Sequence, residues 1–102
     1  MTYYKFLDLL EKGIGVDEKR FYFKDDIKKS EHYIGYLLNG PLPQTPYWAG
    51  YCDLPDGFDC KTAKELFEAK IFNGKSIKDR WDDIIITSIG GISIEEWTDF
   101  NR

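Results

Sequence analysis

Residues 46–60 read PYWAGYCDLPDGFDC, a stretch that holds both cysteines and three aspartates but no lysine or arginine. Its front half, Tyr47–Cys52, predicts a buried strand, because aromatic and small residues suit an enclosed pleated surface. Its back half, Asp53–Asp59, predicts an acidic turn, since Pro55 fixes one dihedral angle and Gly57 accepts a positive φ. A rigid strand that presents an acidic loop beside aromatic side chains is suited to binding rather than to chemistry.

Composition indicates one folded domain over residues 1–102. A chain of 102 residues fits a single domain with one core. Hydrophobic residues make up 42% and aromatic residues 17%, which is ample material for a core and argues against intrinsic disorder.

The charge distribution favours a basic protein partner. Formal net charge is −4, and residues 31–102 carry twelve acidic and seven basic side chains. An acidic surface repels nucleic-acid phosphates and steers a basic partner toward the protein. We therefore expect no nucleic-acid binding.

No segment of the chain predicts membrane insertion or export. No apolar run approaches the roughly 20 residues of a membrane helix, and Asp8 and Glu11 interrupt the only candidate for a signal peptide. We therefore expect a cytoplasmic protein without membrane contact, whose Cys52 and Cys60 stay reduced. Their spacing alone leaves a disulfide between them open.

Apolar residues at helical spacing predict three to four helices. Thr2 and Thr62 are N-cap candidates for the first two helices, and Ser93 with Glu96 forms a capping box for the last. The predicted helices are Thr2–Lys12, Thr62–Lys70, a segment from Ser76 to about Asp83, and a last one through Phe100.

Aromatic and β-branched runs predict the strands of a small, mostly antiparallel sheet. The central strand is Tyr47–Cys52, and a second core strand is Ile84–Thr87. Asn73-Gly74 and Gly90-Gly91 predict turns. The remaining predicted segments are strands at Arg20–Lys24 and Glu31–Leu38 and a proline-rich loop at Asn39–Pro46. The fold class is therefore α+β, with the helices packed on the sheet.

Candidate catalytic and metal sites are weak. His32 is the only histidine, so a catalytic triad would need it as the base. Cys52 and Cys60 are spaced too widely for a usual zinc pair, and the aspartates of the acidic turn do not match an EF-hand. The residues favour a non-enzymatic protein without metal or cofactor. The alternative is a small cytosolic adaptor, or an enzyme that uses His32 with one of the two thiols.

Further acidic residues lie near the end of the chain. Glu95 and Glu96 fall in the first turn of the predicted last helix, where negative charge is favourable in any case. Together with the acidic turn they predict a negative surface.

Several segments of the second half are similar to those of a group of small bacterial cytosolic proteins. They are Tyr47–Asp53, Lys61–Leu66, Ile71–Ser76, Arg80-Trp81 and Ile89–Trp97. In these segments the chain resembles immunity proteins of polymorphic toxin systems, in particular those of contact-dependent growth inhibition. The shared residues are mostly glycines, tryptophans and helix caps.

The resemblance implies a protein that binds one cognate toxin domain, often a basic nuclease, in a 1:1 complex. It would block the active site of the toxin or its access to nucleic acid, with carboxylates in the place of phosphates and aromatic side chains as anchors. The residues predicted to bind the toxin are Asp53, Asp56 and Asp59 with Tyr47 and Trp48, and as a second choice Glu95 and Glu96.

Overall fold

A computed structural model describes residues 1–13, 18–37 and 40–100. In that part of the chain six strands form one antiparallel sheet in the order β4-β3-β2-β1-β5-β6. Three α-helices and one 3₁₀ helix accompany the sheet. The α+β class is confirmed. The strands are β1 (Lys19–Phe23), β2 (His32–Tyr36), β3 (Tyr47–Gly50), β4 (Phe58–Cys60), β5 (Ile84–Ile89) and β6 (Ile92–Ser93); the helices are α1 (Tyr3–Glu11), α2 (Ala63–Glu68), α3 (Ile94–Phe100) and the 3₁₀ helix Trp81–Asp83.

Four consecutive strands, β1 to β4, form an antiparallel meander. The remaining neighbour of β1 is β5, so that Phe21 pairs with Ile86 far along the chain. Gly90 and Gly91 both have positive φ, and they close the tight turn that joins β5 to β6. The proline-rich residues 40–46 connect β2 to β3 without regular structure, whereas Leu38 and Asn39 lie outside the described residues.

One face of the sheet carries the core. Side chains alternate along each strand, so Phe21, Phe23 and Ile34 point to this inner face and are fully buried. Helices α1 and α2 pack against it and contribute the buried Phe6 and Phe67. None of the described helices is both long and apolar enough to cross a membrane.

The predicted N-caps are present. Thr2 Oγ1 accepts a hydrogen bond from the backbone N–H of Lys5 at 3.1 Å, and Thr62 Oγ1 accepts one from Glu65 at 3.1 Å. Ser93 Oγ accepts one from Glu96 at 3.3 Å. Each bond satisfies a donor that a helix start leaves free. The three of the four predicted helices that these residues cap are confirmed.

The prediction of Tyr47–Cys52 as a buried central strand is wrong in position, in length and in burial. Strand β3 lies second from the sheet edge, and it ends at Gly50 because Tyr51 takes a left-handed conformation with φ 50°. Among its residues only Ala49 is buried. The predicted acidic turn also contains a strand, since β4 pairs with β3.

The predicted helix from Ser76 to Asp83 is also wrong. Ser76 Oγ does accept a hydrogen bond from Asp79 at 3.0 Å, but the chain makes a single turn there and then the 3₁₀ helix. Few residues separate Ser76 from the β-branched run of β5, and a helix that short gains too few hydrogen bonds to offset its nucleation.

Asp25 ties the turn after β1 to this segment. Its carboxylate accepts hydrogen bonds from Arg80 at 2.9 Å and from Lys75 at 3.0 Å. These bonds, chiefly the one from Arg80, hold the pKa of the Asp25 carboxyl at about 2, below the ordinary 3.8. The pKa is lower in the folded state, so the stabilisation is complete above the unfolded pKa and is lost as pH falls toward 2.

We therefore expect Asp25→Asn to lower the urea midpoint of unfolding at pH 6 and to have little effect at pH 2. Urea titrations of both proteins over this range measure the difference. A difference that stays constant down to pH 2 would contradict the assigned pairing.

Candidate functional site

Tyr47 is partly buried and packs against the core. Its hydroxyl donates to the backbone carbonyl of Glu11 at 3.1 Å, and its ring packs on Tyr36 with centroids 5.0 Å apart. Burial raises the pKa of the Tyr47 hydroxyl. This side chain links β3 to the end of α1.

Asp53 holds two loops together. Its two carboxylate oxygens accept hydrogen bonds from the backbone N–H groups of Asn73 and Gly74, each at 2.8 Å. The backbone N–H of Asp53 donates in turn to the Ile71 carbonyl at 2.7 Å. The Asn73-Gly74 turn has positive φ at both residues, as a tight turn of this type requires.

The three predicted aspartates do not converge. Asp53 faces the turn after α2, Asp56 lies in the exposed turn before β4, and Asp59 is exposed on β4 itself. Across residues 1–13, 18–37 and 40–100 no three His, Cys, Asp or Glu side chains gather where they could hold a metal ion.

Asp59 and Trp48 do form a pair. They lie directly opposite each other on β4 and β3, and so share the outer face of the sheet, away from α1 and α2. Asp59 is exposed and Trp48 half-buried. Neither Asp56 nor Asp59 makes an ion pair with any described residue. We call Trp48, Asp56 and Asp59 the β3–β4 surface.

A pocket of about 170 Å³ opens beside the indole of Trp48. The proline-rich loop folds over this end of the sheet, with its Thr45 N–H bonded to the Leu42 carbonyl at 3.1 Å. Asp59 is the one charged residue among those described around the pocket. The lining residues are Leu37, Pro41, Leu42, Thr45, Pro46, Trp48 and Asp59.

The middle of the outer face differs from the β3–β4 surface because its charges are neutralised within the chain. Arg20 pairs with Glu18 at 2.7 Å, approaches Glu31 at 4.0 Å and lies 4.6 Å from the centroid of the Tyr33 ring. Tyr51 packs edge-on against Tyr33, yet 72% of its surface stays exposed.

Glu95 and Glu96 lie at the opposite edge of the sheet from Asp59. They are exposed in the first turn of α3, which follows the edge strand β6. Strands in a sheet are spaced about 4.8 Å apart, so the two edges of six strands are about 24 Å apart. The structure thus places the two predicted acidic groups on separate surfaces.

Sequence reasoning missed a larger cleft between α3 and the start of β5, of about 400 Å³. Four isoleucines and Trp81 line it, and Asp82 is its charged member among the described residues. The signal was weak, because the same isoleucines also satisfy the pattern of a core strand. Ile94 and Thr98, one helical turn apart on α3, form its outer wall.

The hydrogen bond of His32 goes to a backbone carbonyl rather than to a thiol. Its Nδ1 lies 2.6 Å from the Tyr51 carbonyl, to which it donates, and its ring is surrounded by Phe21, Phe23 and Phe72. Its Nε2 is buried and has no hydrogen-bond partner among the described residues. The imidazole is therefore buried, with 5% of the residue exposed.

The two cysteines are free in the structure, and each thiol bonds to a carbonyl of its own loop. Cys52 Sγ donates to Leu54 at 3.6 Å, and Cys60 Sγ donates to Thr62 at 3.3 Å. Burial raises the pKa of the Cys60 thiol to about 11, which keeps it protonated and unreactive at neutral pH. No observation in the described residues therefore favours the alternative of His32 acting with either thiol.

Comparison with known proteins identifies no relative of this chain. No family model, no curated protein and no solved structure matches this chain. Among the described residues, Asp56 and Asp59 are exposed carboxylates without an ion-pair partner, and Asp59 lies opposite Trp48 near one edge of the sheet.

Proposed function

We propose that this chain is an immunity protein that binds a basic cognate toxin domain, a nuclease, through its β3–β4 surface. The observation that carries the proposal is a pair of exposed carboxylates, Asp56 and Asp59, that have no ion-pair partner among the described residues, with Asp59 directly opposite the half-buried Trp48. Such carboxylates form favourable charge-assisted hydrogen bonds when a lysine or arginine of a partner binds them.

The arrangement suits inhibition of an enzyme that holds phosphates. A nuclease binds its substrate through lysine and arginine, so a protein inhibitor that offers fixed carboxylates competes for the same groups. Strand pairing with β3 fixes the backbone at Asp59, and the Trp48 ring supplies the apolar contact area that anchors most protein interfaces. The inhibitor blocks the active site or the path of the nucleic acid to it.

Two of the residues predicted to bind the toxin have a structural role instead. Tyr47 bonds to α1 and Asp53 bonds to the Asn73-Gly74 turn, so both hold the β3–β4 surface in place. We assign direct contact to Asp56, Asp59 and Trp48. Glu95 and Glu96 stay a second candidate surface.

The test uses the toxin domain encoded next to this chain in its genome, co-expressed with it. The wild-type chain is expected to protect cells and to bind the toxin in a 1:1 complex. Because a central charge pair contributes about 2–5 kcal/mol by truncation, the double reversal Asp56→Lys/Asp59→Lys should weaken binding by at least about 100-fold. Titration calorimetry of the purified proteins measures the loss.

The matched control is Glu95→Lys/Glu96→Lys, which makes the same change of charge at the opposite edge. We expect it to slow association and to change affinity by less than about tenfold. If the wild-type chain neither captures the toxin nor protects cells, the proposed function is wrong. If it protects and only the control variant loses binding, the toxin sits on the α3 edge instead.

A further inference from the structure

We propose that the pocket beside Trp48 receives one arginine side chain of the protein partner. For the identity of the partner this inference rests on the proposed function, whereas the pocket itself is tested without it. Among its described lining residues the pocket combines an aromatic wall, apolar walls and one carboxylate, and each of these features matches one part of an arginine.

The size and the walls fit one long side chain. The volume of about 170 Å³ holds a single side chain rather than a peptide segment or a large ligand. Pro41, Leu42 and Pro46 form apolar walls that can cover the methylene stem, which long basic side chains commonly bury while the charged head stays hydrated.

The Trp48 ring favours a guanidinium over an ammonium group. Tryptophan binds cations on its face better than other aromatic residues do, and the planar guanidinium can stack there while its N–H groups still reach an acceptor. Trp48 is half-buried, so it keeps a free portion of its surface at the pocket.

Asp59 supplies that acceptor. It lies on the strand next to Trp48 and lines the same pocket. No lysine or arginine of the described chain pairs with it, although Arg20, Lys75, Lys78 and Arg80 each pair with other carboxylates. Its charge is therefore available to a cation from outside, and a carboxylate binds guanidinium through two parallel hydrogen bonds.

The probe is a capped pentapeptide with a central arginine between pairs of glycines, titrated into the ¹⁵N-labelled full chain and followed by NMR. We expect millimolar binding, with shifts centred on the amides of Thr45, Trp48 and Asp59. A second peptide carries citrulline, which has the shape of arginine without its charge. It should bind about 3–10-fold more weakly, because it loses the ion pair and the cation–π contact.

Two variants locate the charge. Asp59→Asn keeps the shape of the side chain and should weaken arginine-peptide binding about 3–10-fold. The control is Asp79→Asn, which removes the same charge from an exposed residue that does not line the pocket, and it should change binding less than about twofold. Absence of shifts at 20 mM peptide, equal binding of the citrulline peptide, or tighter binding of a lysine peptide would overturn the proposal.

These outcomes are independent of the toxin experiment. An arginine peptide that binds in the pocket of a chain that protects no cell would leave the pocket standing and refute the proposed function. If the chain protects cells but its pocket does not bind the arginine peptide, the proposed function stands and the arginine pocket is refuted.

Discussion

Replacing Phe72 by alanine is expected to lower the free energy of unfolding by about 3–5 kcal/mol. Phe72 is fully buried, and its ring lies 5.2 Å from those of both Phe21 and His32. Removing it opens a cavity in the middle of the inner face and deletes one wall of the cage around the imidazole. The surrounding strands are hydrogen-bonded on both sides, so they cannot collapse into the space.

Phe72→Leu is the matched control. It retains much of the side-chain volume and should cost less than half as much. Denaturant titrations of the wild type and the two variants, fitted with a common m-value, measure the free energies of unfolding. A loss below about 1 kcal/mol for Phe72→Ala would show that Phe72 does not close the core.

The second large effect is expected at Asp53, where alanine should cost about 2–4 kcal/mol. The carboxylate makes two charge-assisted hydrogen bonds to the N–H groups of Asn73 and Gly74, and each such bond contributes about 1.5–3 kcal/mol. Competition with water lowers the sum because Asp53 is exposed. Asp53→Asn retains one acceptor oxygen and should show an intermediate loss.

Asp56→Ala serves as the control for Asp53→Ala, because Asp56 lies in the same turn and makes no ion pair with a described residue. It should stay within about 0.5 kcal/mol of wild type. Hydrogen exchange adds a local readout, since the amides of Asn73 and Gly74 should lose protection in Asp53→Ala alone. Unchanged protection there would contradict the role of the carboxylate as a clamp.

The parts of the fold that depend on local chemistry were predictable from the sequence. Thr2, Thr62 and Ser93 cap helices because a hydroxyl oxygen two or three residues from a free N–H needs no other part of the chain. The Asn73-Gly74 and Gly90-Gly91 turns follow from residues that accept positive φ. The β-branched run at Ile84 likewise predicted β5.

The parts that depend on distant partners were not predictable. Strand β4 has three residues beside a proline–glycine turn, and it is a strand because β3 pairs with it. Asp53 looked like a surface acid because its two hydrogen-bond donors lie 20 and 21 residues later. The alignment of Trp48 with Asp59 depends in the same way on strand register, which residue types alone leave open.

The position of β1 in the sheet has a consequence for the order of folding. Its pairing with β2 closes a short loop, whereas its pairing with β5 brings Phe21 to Ile86, 65 residues later. Loop-closure entropy makes the long closure about 1.7 kcal/mol more costly than one of ten residues. We therefore expect the meander to form first. Pulsed hydrogen exchange during refolding tests this order, because the amides of β2 and β3 should become protected before those of β5. During synthesis, the edge of β1 that β5 later covers would stay open until β5 leaves the ribosome, which makes this edge the point where the nascent chain is most exposed to mispairing.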